Sequence, residues 1–279
     1  MAKITQEQRN RYAAKLKEYK TTIDSLLAKE QNLLMMIKKS GDNNTGYPRI
    51  RLVQELLPLA SYYILMNTLS VSMLGVKNED SLAAARQTLT RAFKYLEDIV
   101  TAYIDAPFSE YEKNLELIAD VSYEDRYALV RKMAFAISEI EDGYGANSKW
   151  RWSFIDLWAK LAVVAKNMLD LKKAYVDIDL ESPDRMIVTA YLRTLKSMFI
   201  TTGDKYREKY EMFSSKMEDF KQAITYLQAL RRLHTVFGER EEAEELKKKI
   251  DIWTTKLETD KKRQLEESRK PAASPRPEG

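Results

Sequence analysis

Leu56–Val76 reads LLPLASYYILMNTLSVSMLGV and contains no Asp, Glu, Lys or Arg, although those four residues make up 32% of the chain. About 20 apolar residues suffice to span a bilayer, so the stretch is either a membrane helix or the central helix of a helical core. Pro58, Ser61, Asn67, Thr68, Ser70 and Ser72 dilute its hydrophobicity, its flanks are highly charged, and no second run of this kind exists. These features favour the core, because a helix apolar nearly all round is expected at the centre of a helical protein. Pro58 is expected to kink this helix or to mark the first turn of a new one. Ser61, Thr68 and Ser72 share a face, where small hydroxyl residues let another backbone approach or bond their own helix carbonyls. Gly75 is the expected stop.

Composition points the same way. A chain of 279 residues with only 8 Gly and 7 Pro has little punctuation for many short strands. Leu, Ala, Lys, Glu, Arg and Met dominate, and all favour helix. The absence of cysteine removes disulfides, thiolate catalysis and Cys-based zinc sites. The opening MAKITQEQRNRYAAKLKEYK has no apolar signal-peptide segment, so a cytoplasmic location is expected. A net charge of +4 is too small to demand a polyanionic partner. The charge is uneven, however: Met1–Lys39 is net basic, Arg49–Asp142 net acidic, and the C-terminal third basic again.

Working outward, a first helix is expected from about Thr5 to Lys39. Tyr12, Leu16, Tyr19, Ile23, Leu26, Leu33 and Ile37 recur in alternating steps of four and three, with Glu30 in the one polar slot. This heptad seam is a coiled-coil signal. Its expected partner is the C-terminal hairpin or a second copy of the chain. Ser40–Pro48 is a turn-rich loop in which Gly41 and Gly46 mimic a phosphate-binding loop, but no Lys-Ser/Thr follows. Helices are then expected from Arg49, from a cap at Asp80 or Ser81 to about Pro107, from Ser109, and from Ser122 to about Glu141. A long helix follows from a cap at Asn147 or Ser148 to about Tyr175, and another from Ser182-Pro183-Asp184 to Gly203. The seam returns from Asp204 to Phe237, Gly238 makes a turn, and a last helix carries Ala243, Leu246, Ile250, Trp253 and Leu257. Residues 269–279 (RKPAASPRPEG) form an expected disordered tail.

Few residues offer chemistry. His234 is the only histidine, so a carboxylate-bridged di-iron site cannot form, and it lies on an apolar seam. Asp177-Ile178-Asp179-Leu180-Glu181 lacks a matching second aspartate-rich motif and the central Gly of a calcium loop; it reads as an acidic linker. The most distinctive segment is Lys149–Trp158, KWRWSFIDLW. Trp150, Phe154, Leu157 and Leu161 share one helical face and should enter the core. Trp152 projects elsewhere. Lys149, Arg151 and Trp152 are therefore the candidate partner-binding residues, since cations interleaved with indoles can clamp a peptide or stack on bases.

Ala223–Trp253 (AITYLQALRRLHTVFGEREEAEELKKKIDIW) resembles one helical hairpin of a tetratricopeptide repeat: an amphipathic helix, a turn at Gly238, and Ala243 at the small packing position. Leu69–Val100 echoes it with Met73-Leu74-Gly75 before an alanine-rich helix. Arg231 departs from the pattern where a small residue is usual, and no array with a period of about 34 residues is present. The resemblance implies packed helical hairpins and, by analogy, protein–protein recognition.

The sequence therefore predicts an all-α protein, a helical-hairpin bundle or short α-solenoid. Residues 1–39 form a coiled-coil-like helix, 49–202 a helical core and 203–268 a long C-terminal hairpin. The expected function is a non-catalytic, cytoplasmic scaffold or adaptor for protein partners, without cofactor, metal or transmembrane segment, and with self-association through the N-terminal seam as one version. Nucleic acid is not the expected partner. The alternatives are an electrostatic binder of nucleic acid or a membrane surface, and an all-helical enzyme of an unrecognised pattern.

Overall fold

A computed structural model describes residues 4–40, 45–146 and 148–269. All regular structure among them is helical. In chain order the helices are α1 (Gln6–Ser40), α2 (Gly46–Leu74), α3 (Glu79–Val100), α4 (Phe108–Glu116), α5 (Tyr123–Tyr144), α6 (Phe154–Met168), α7 (Leu171–Asp177), α8 (Arg185–Lys209), α9 (Met217–Val236) and α10 (Arg240–Arg269). The all-α class is as the sequence predicts. The chain divides into two compact units, Met1–Met198 and Phe199–Gly279.

In the first unit α2 is central and packs against α1, α3 and α5. Ile50, Leu52, Val53, Leu56, Leu59 and Ala60 are all but inaccessible to solvent. The helix is continuous through Pro58. It is not buried all round: Leu65 and Val71 are exposed. Ser61, Thr68 and Ser72 also face solvent and donate to the carbonyls of Leu57, Ile64 and Leu69. Their hydroxyls are thus satisfied within the helix. Among the described helices α2 alone is long and apolar enough to cross a membrane.

The α1 seam turns inward. Ile23 and Leu26 are buried, and Tyr12, Leu16, Tyr19, Leu33 and Ile37 are half-buried. Its partner is α2, where the C-terminal hairpin or a second copy was expected. The rings of Tyr19 and Tyr62 meet edge-on at 5.7 Å. Glu30, the polar slot in the heptads, is buried and accepts two parallel hydrogen bonds from Arg91 of α3, at 3.0 and 3.2 Å. A bidentate arginine contact satisfies both carboxylate oxygens, which is what makes a charge tolerable at that depth.

Arg126, in the first turn of α5, is buried to 6% exposure. Its guanidinium donates to three backbone carbonyls: Nε to Val121 (2.9 Å), Nη1 to Met168 (2.8 Å) and Nη2 to Ile118 (2.6 Å). The Ile118 and Val121 oxygens belong to the turns after α4, and that of Met168 to the last residue of α6. Helix ends leave carbonyls without intrahelical donors; Ile118 also accepts from the Val121 amide at 3.0 Å, and one planar fork reaches all three oxygens. Burial holds the Arg126 pKa below its ordinary value.

Several boundaries differ from the sequence reading. Asn78, not Asp80 or Ser81, caps α3, accepting from the Ser81 amide at 3.0 Å. This helix ends at Val100, because Thr101 adopts φ 109°. The fully buried Asn167 holds that turn by donating to the carbonyls of Thr101 and Tyr103. The long helix expected up to Tyr175 is split into α6 and α7. Leu169 is extended there, and the Asp170 carboxylate caps α7 by accepting from the amides of Lys172 and Lys173. The expected caps at Ser122 and its Asp125 amide contact are found. Asn147, residues 41–44 of the glycine loop and residues 270–279 of the expected tail lie outside the described residues.

In the second unit α9 and α10 form a hairpin turned at Gly238, whose φ is 74°. Ala223, Leu227, Leu230, Ala243, Leu246, Ile250 and Trp253 are buried there. Gly203 does not stop α8. A Cβ at that position would sit 3.2 Å from the Ala223 carbonyl, so the glycine permits a close helix approach. The expected continuous seam from Asp204 instead breaks at a π-helical turn, Tyr210–Ser214, followed by Ser215 in the left-handed region. Tyr210 stacks on Phe220 at 4.9 Å and donates to Asp260 at 2.8 Å. Lys256 and Arg263 flank the same carboxylate, each at 3.2 Å. Burial, then the Asp260 bond, pushes the Tyr210 hydroxyl up to about 12, while that bond and the cations hold Asp260 below the ordinary carboxylate value.

Two predictions follow from these polar contacts. Arg126→Met leaves the Val121 and Met168 carbonyls without a donor, while Ile118 keeps the Val121 amide, and should lower stability by about 2 kcal/mol or more in urea unfolding, with the cost of each orphaned group about 1–3 kcal/mol. For Tyr210 the folded pKa lies above the ordinary value. The stabilisation is therefore full below pH about 10 and is lost as pH rises toward 12. The difference titration of wild type minus Tyr210→Phe at 295 nm should show one phenol ionising near about 12 rather than near 10.

Candidate functional site

The aromatic corner after α5 is built from its capping geometry. Gly145 ends the helix with φ 83°, and the Lys77 ammonium donates to the Tyr144 carbonyl at 2.8 Å. The chain then makes a 3-10 turn, Arg151–Ser153, into α6. Trp150 is half-buried, 6.0 Å from the Tyr144 ring, which in turn lies 5.8 Å from the buried Phe154. The Arg86 guanidinium lies 4.5 Å from the Trp150 ring centre and donates to the Ser153 hydroxyl at 3.2 Å. Lys149 approaches the same ring at 5.3 Å, and Arg151 sits 4.7 Å over Trp152.

Lys149 and Arg151 are exposed, and Trp152 is half-buried. All three fall in one small region, as their spacing implied. What the spacing could not show is that the protein's own cations sit over the indoles. A cation over an aromatic face is attracted by the ring quadrupole, so a stacking ligand would have to displace it. The Trp150 Nε1 and Ser148 Oγ atoms beside an open cavity of about 620 Å³ are buried and unpartnered. Their burial keeps them from a ligand in that cavity.

A second feature escaped the sequence reading. Between α2 and α5 runs a groove of about 610 Å³. Its apolar lining is Leu57 and Pro58 from α2 and Ala128, Phe135 and Ala136 from α5, with Ser61 among them. Phe135 is 66% exposed. The reason lies in the periodicity of α5: Val130, Met133, Ile137 and Ile140 supply the buried stripe, and Phe135 falls off it. An aromatic that the core does not use is the only sequence cue, and it carries no information that α2 lies alongside. Arg131 and Lys132 line the groove, and Asp125 lies near its start. Pro58 has no N–H, so the Gln54 carbonyl beside the groove lacks the usual donor four residues on.

The other sequence candidates are engaged in the scaffold. Asp177 accepts from the Tyr123 hydroxyl at 3.0 Å. His234 is half-buried, with Nδ1 2.6 Å from a Glu239 carboxylate oxygen. Among the described residues no three His, Asp or Glu side chains are grouped to hold a metal ion.

The chain belongs to the TP0443 family, whose model matches residues 8–261. No curated protein matches it.

The two sites differ in their relation to the core, and this is testable by truncation. Trp150→Ala removes a ring packed on Tyr144 and under Arg86 and should cost about 3 kcal/mol. Phe135→Ser should change thermal or urea stability by less than about 0.5 kcal/mol, as surface substitutions usually do.

Proposed function

We propose that this protein is a non-catalytic, cytoplasmic scaffold or adaptor that recognises partner proteins through the α2–α5 groove. The observation that carries this reading is Phe135, a large aromatic held out of the core beside a ready-made apolar concavity. Interface cores are enriched in such aromatics, and they commonly dominate binding energy. The groove's polar groups do not resemble a reaction centre. The Ser61 hydroxyl bonds its own helix, Asp125 bonds the Ser122 cap, and the remaining side-chain charges are cations. The cation-covered indoles of Trp150 and Trp152 weigh against base stacking at the aromatic corner. The buried stripe of α2 supports its reading as a core helix.

The test is site-specific photocrosslinking in native cells with p-benzoylphenylalanine at position 135, and at the exposed Ile252 as control. A discrete protein adduct at 135 and not at 252 is expected. Crosslinking to lipid or nucleic acid alone would defeat the reading. Thermal melting supplies a second check. A ligand at 100 times its dissociation constant adds about 2.7 kcal/mol, so a clear shift with ATP, magnesium or zinc would speak for catalysis; no shift is expected.

A further inference from the structure

We infer that the groove's occupant is an amphipathic partner helix of about three turns with an acidic edge. The inference rests on the adaptor reading and names the partner's chemistry. Length comes first. The α5 wall runs from Asp125 to Ala136, which at about 1.5 Å per residue is roughly 16 Å, or three helical turns. Ala128, Ala136 and Ser61 are small, so a second helix can lie close between the two walls. Partner side chains at i, i+3/i+4 and i+7 then reach Leu57, Pro58 and Phe135.

Backbone chemistry selects a helix over an extended peptide. Both walls are helices that use their main-chain groups internally. An added strand would find no ladder to join and would bury unpaired N–H and C=O groups. A helix brings its own bonds. Pro58 leaves the Gln54 carbonyl without its helical donor, and Gln54 lines the groove.

Charge selects the edge. Arg131 and Lys132 are exposed; the Arg131 guanidinium lies 5.7 Å from the Tyr127 ring centre, and neither cation has a carboxylate partner among the described residues. The one carboxylate in the lining, Asp125, accepts from the Ser122 hydroxyl at 3.1 Å. An apolar surface rimmed by two cations without carboxylate partners is complementary to Asp or Glu placed beside the apolar stripe of the occupant, and a basic helix would be repelled.

The probe is a display library of helix-forming peptides of about 14 residues, nearly four turns and so long enough to span the groove, selected on the full chain. Enriched peptides should pair apolar residues at helical spacing with Asp or Glu. The best synthetic peptide should become helical on binding, and its affinity should fall about tenfold or more with Phe135→Ala and with the double variant Arg131→Glu/Lys132→Glu. Converting the peptide's acids to Lys should restore binding to the double variant. These side chains are exposed, and circular dichroism of each variant checks the fold. Enrichment of basic or extended peptides, or of peptides indifferent to all three substitutions, overturns the inference and leaves the adaptor reading to the crosslinking result. Failure to enrich any peptide likewise overturns it. Loss of a vesicle- or RNA-binding activity in the double variant, with no helical peptide bound, would assign the cations to that partner instead.

Discussion

Three chain segments end against one another in the first unit: the turns after α4, the start of α5 and the end of α6. The first and the last present carbonyl oxygens that lack intrahelical donors. Arg126, at the start of α5, joins them with one side chain that donates to Ile118, Val121 and Met168. Removing a guanidinium from water is costly, and no carboxylate hydrogen bond offsets the cost. It is met by charge-assisted bonds to carbonyls, one of them at the negative end of the α6 dipole. The arrangement is directional in a way that apolar packing is not. It fixes where α5 begins relative to α6, and hence which side of α5 faces inward. The position of Phe135 on the outer side, and with it the groove, depends on that choice.

Other buried polar residues act in the same sense. Glu30 interrupts an apolar seam and would be a liability without Arg91, which approaches from α3 with matched geometry. The pair specifies one register of α1 over α2, because sliding α1 by a turn would strand a carboxylate in the core. Asn167 stabilises the positive-φ turn at Thr101 by bridging two of its carbonyls. In the second unit Tyr210, Asp260, Lys256 and Arg263 clamp the end of α8 to α10 just where the π-turn breaks the helix. Each contact trades desolvation for uniqueness of packing.

The two aromatic sites show how similar residues can serve opposite ends. At Trp150 and Trp152 the indoles are capped by the protein's own arginines, and their chief work is to close the turn between α5 and α6. Phe135 has no such cover. An apolar face open to water, next to cations without carboxylate partners, is an incomplete interface, and the most economical completion is a helix that supplies both apolar surface and negative charge.

The sequence by itself determined the class of the fold and much of its helix inventory. The scarcity of Gly and Pro, the uncharged run at Leu56–Val76 and the heptads of Tyr12–Ile37 are local signals, because helical periodicity is written along the chain. Caps such as Ser122 are local too. The partner of the α1 seam was not legible, since many apolar stripes could match it and only the pairing of Glu30 with Arg91, 61 residues away, distinguishes them. The breaks at Leu169 and Ser215 were hidden because each rests on contacts from distant residues: Arg126 on the Met168 carbonyl, Asp260 on Tyr210. The candidate residues Lys149, Arg151 and Trp152 are neighbours in the sequence, so their proximity was legible, but the cover of Trp150 by Arg86 and Lys149 and of Trp152 by Arg151 was not. The groove was least visible of all. It exists only because α2 and α5 lie side by side, and a concavity between helices distant in sequence is a property of their packing, decided by tertiary structure alone.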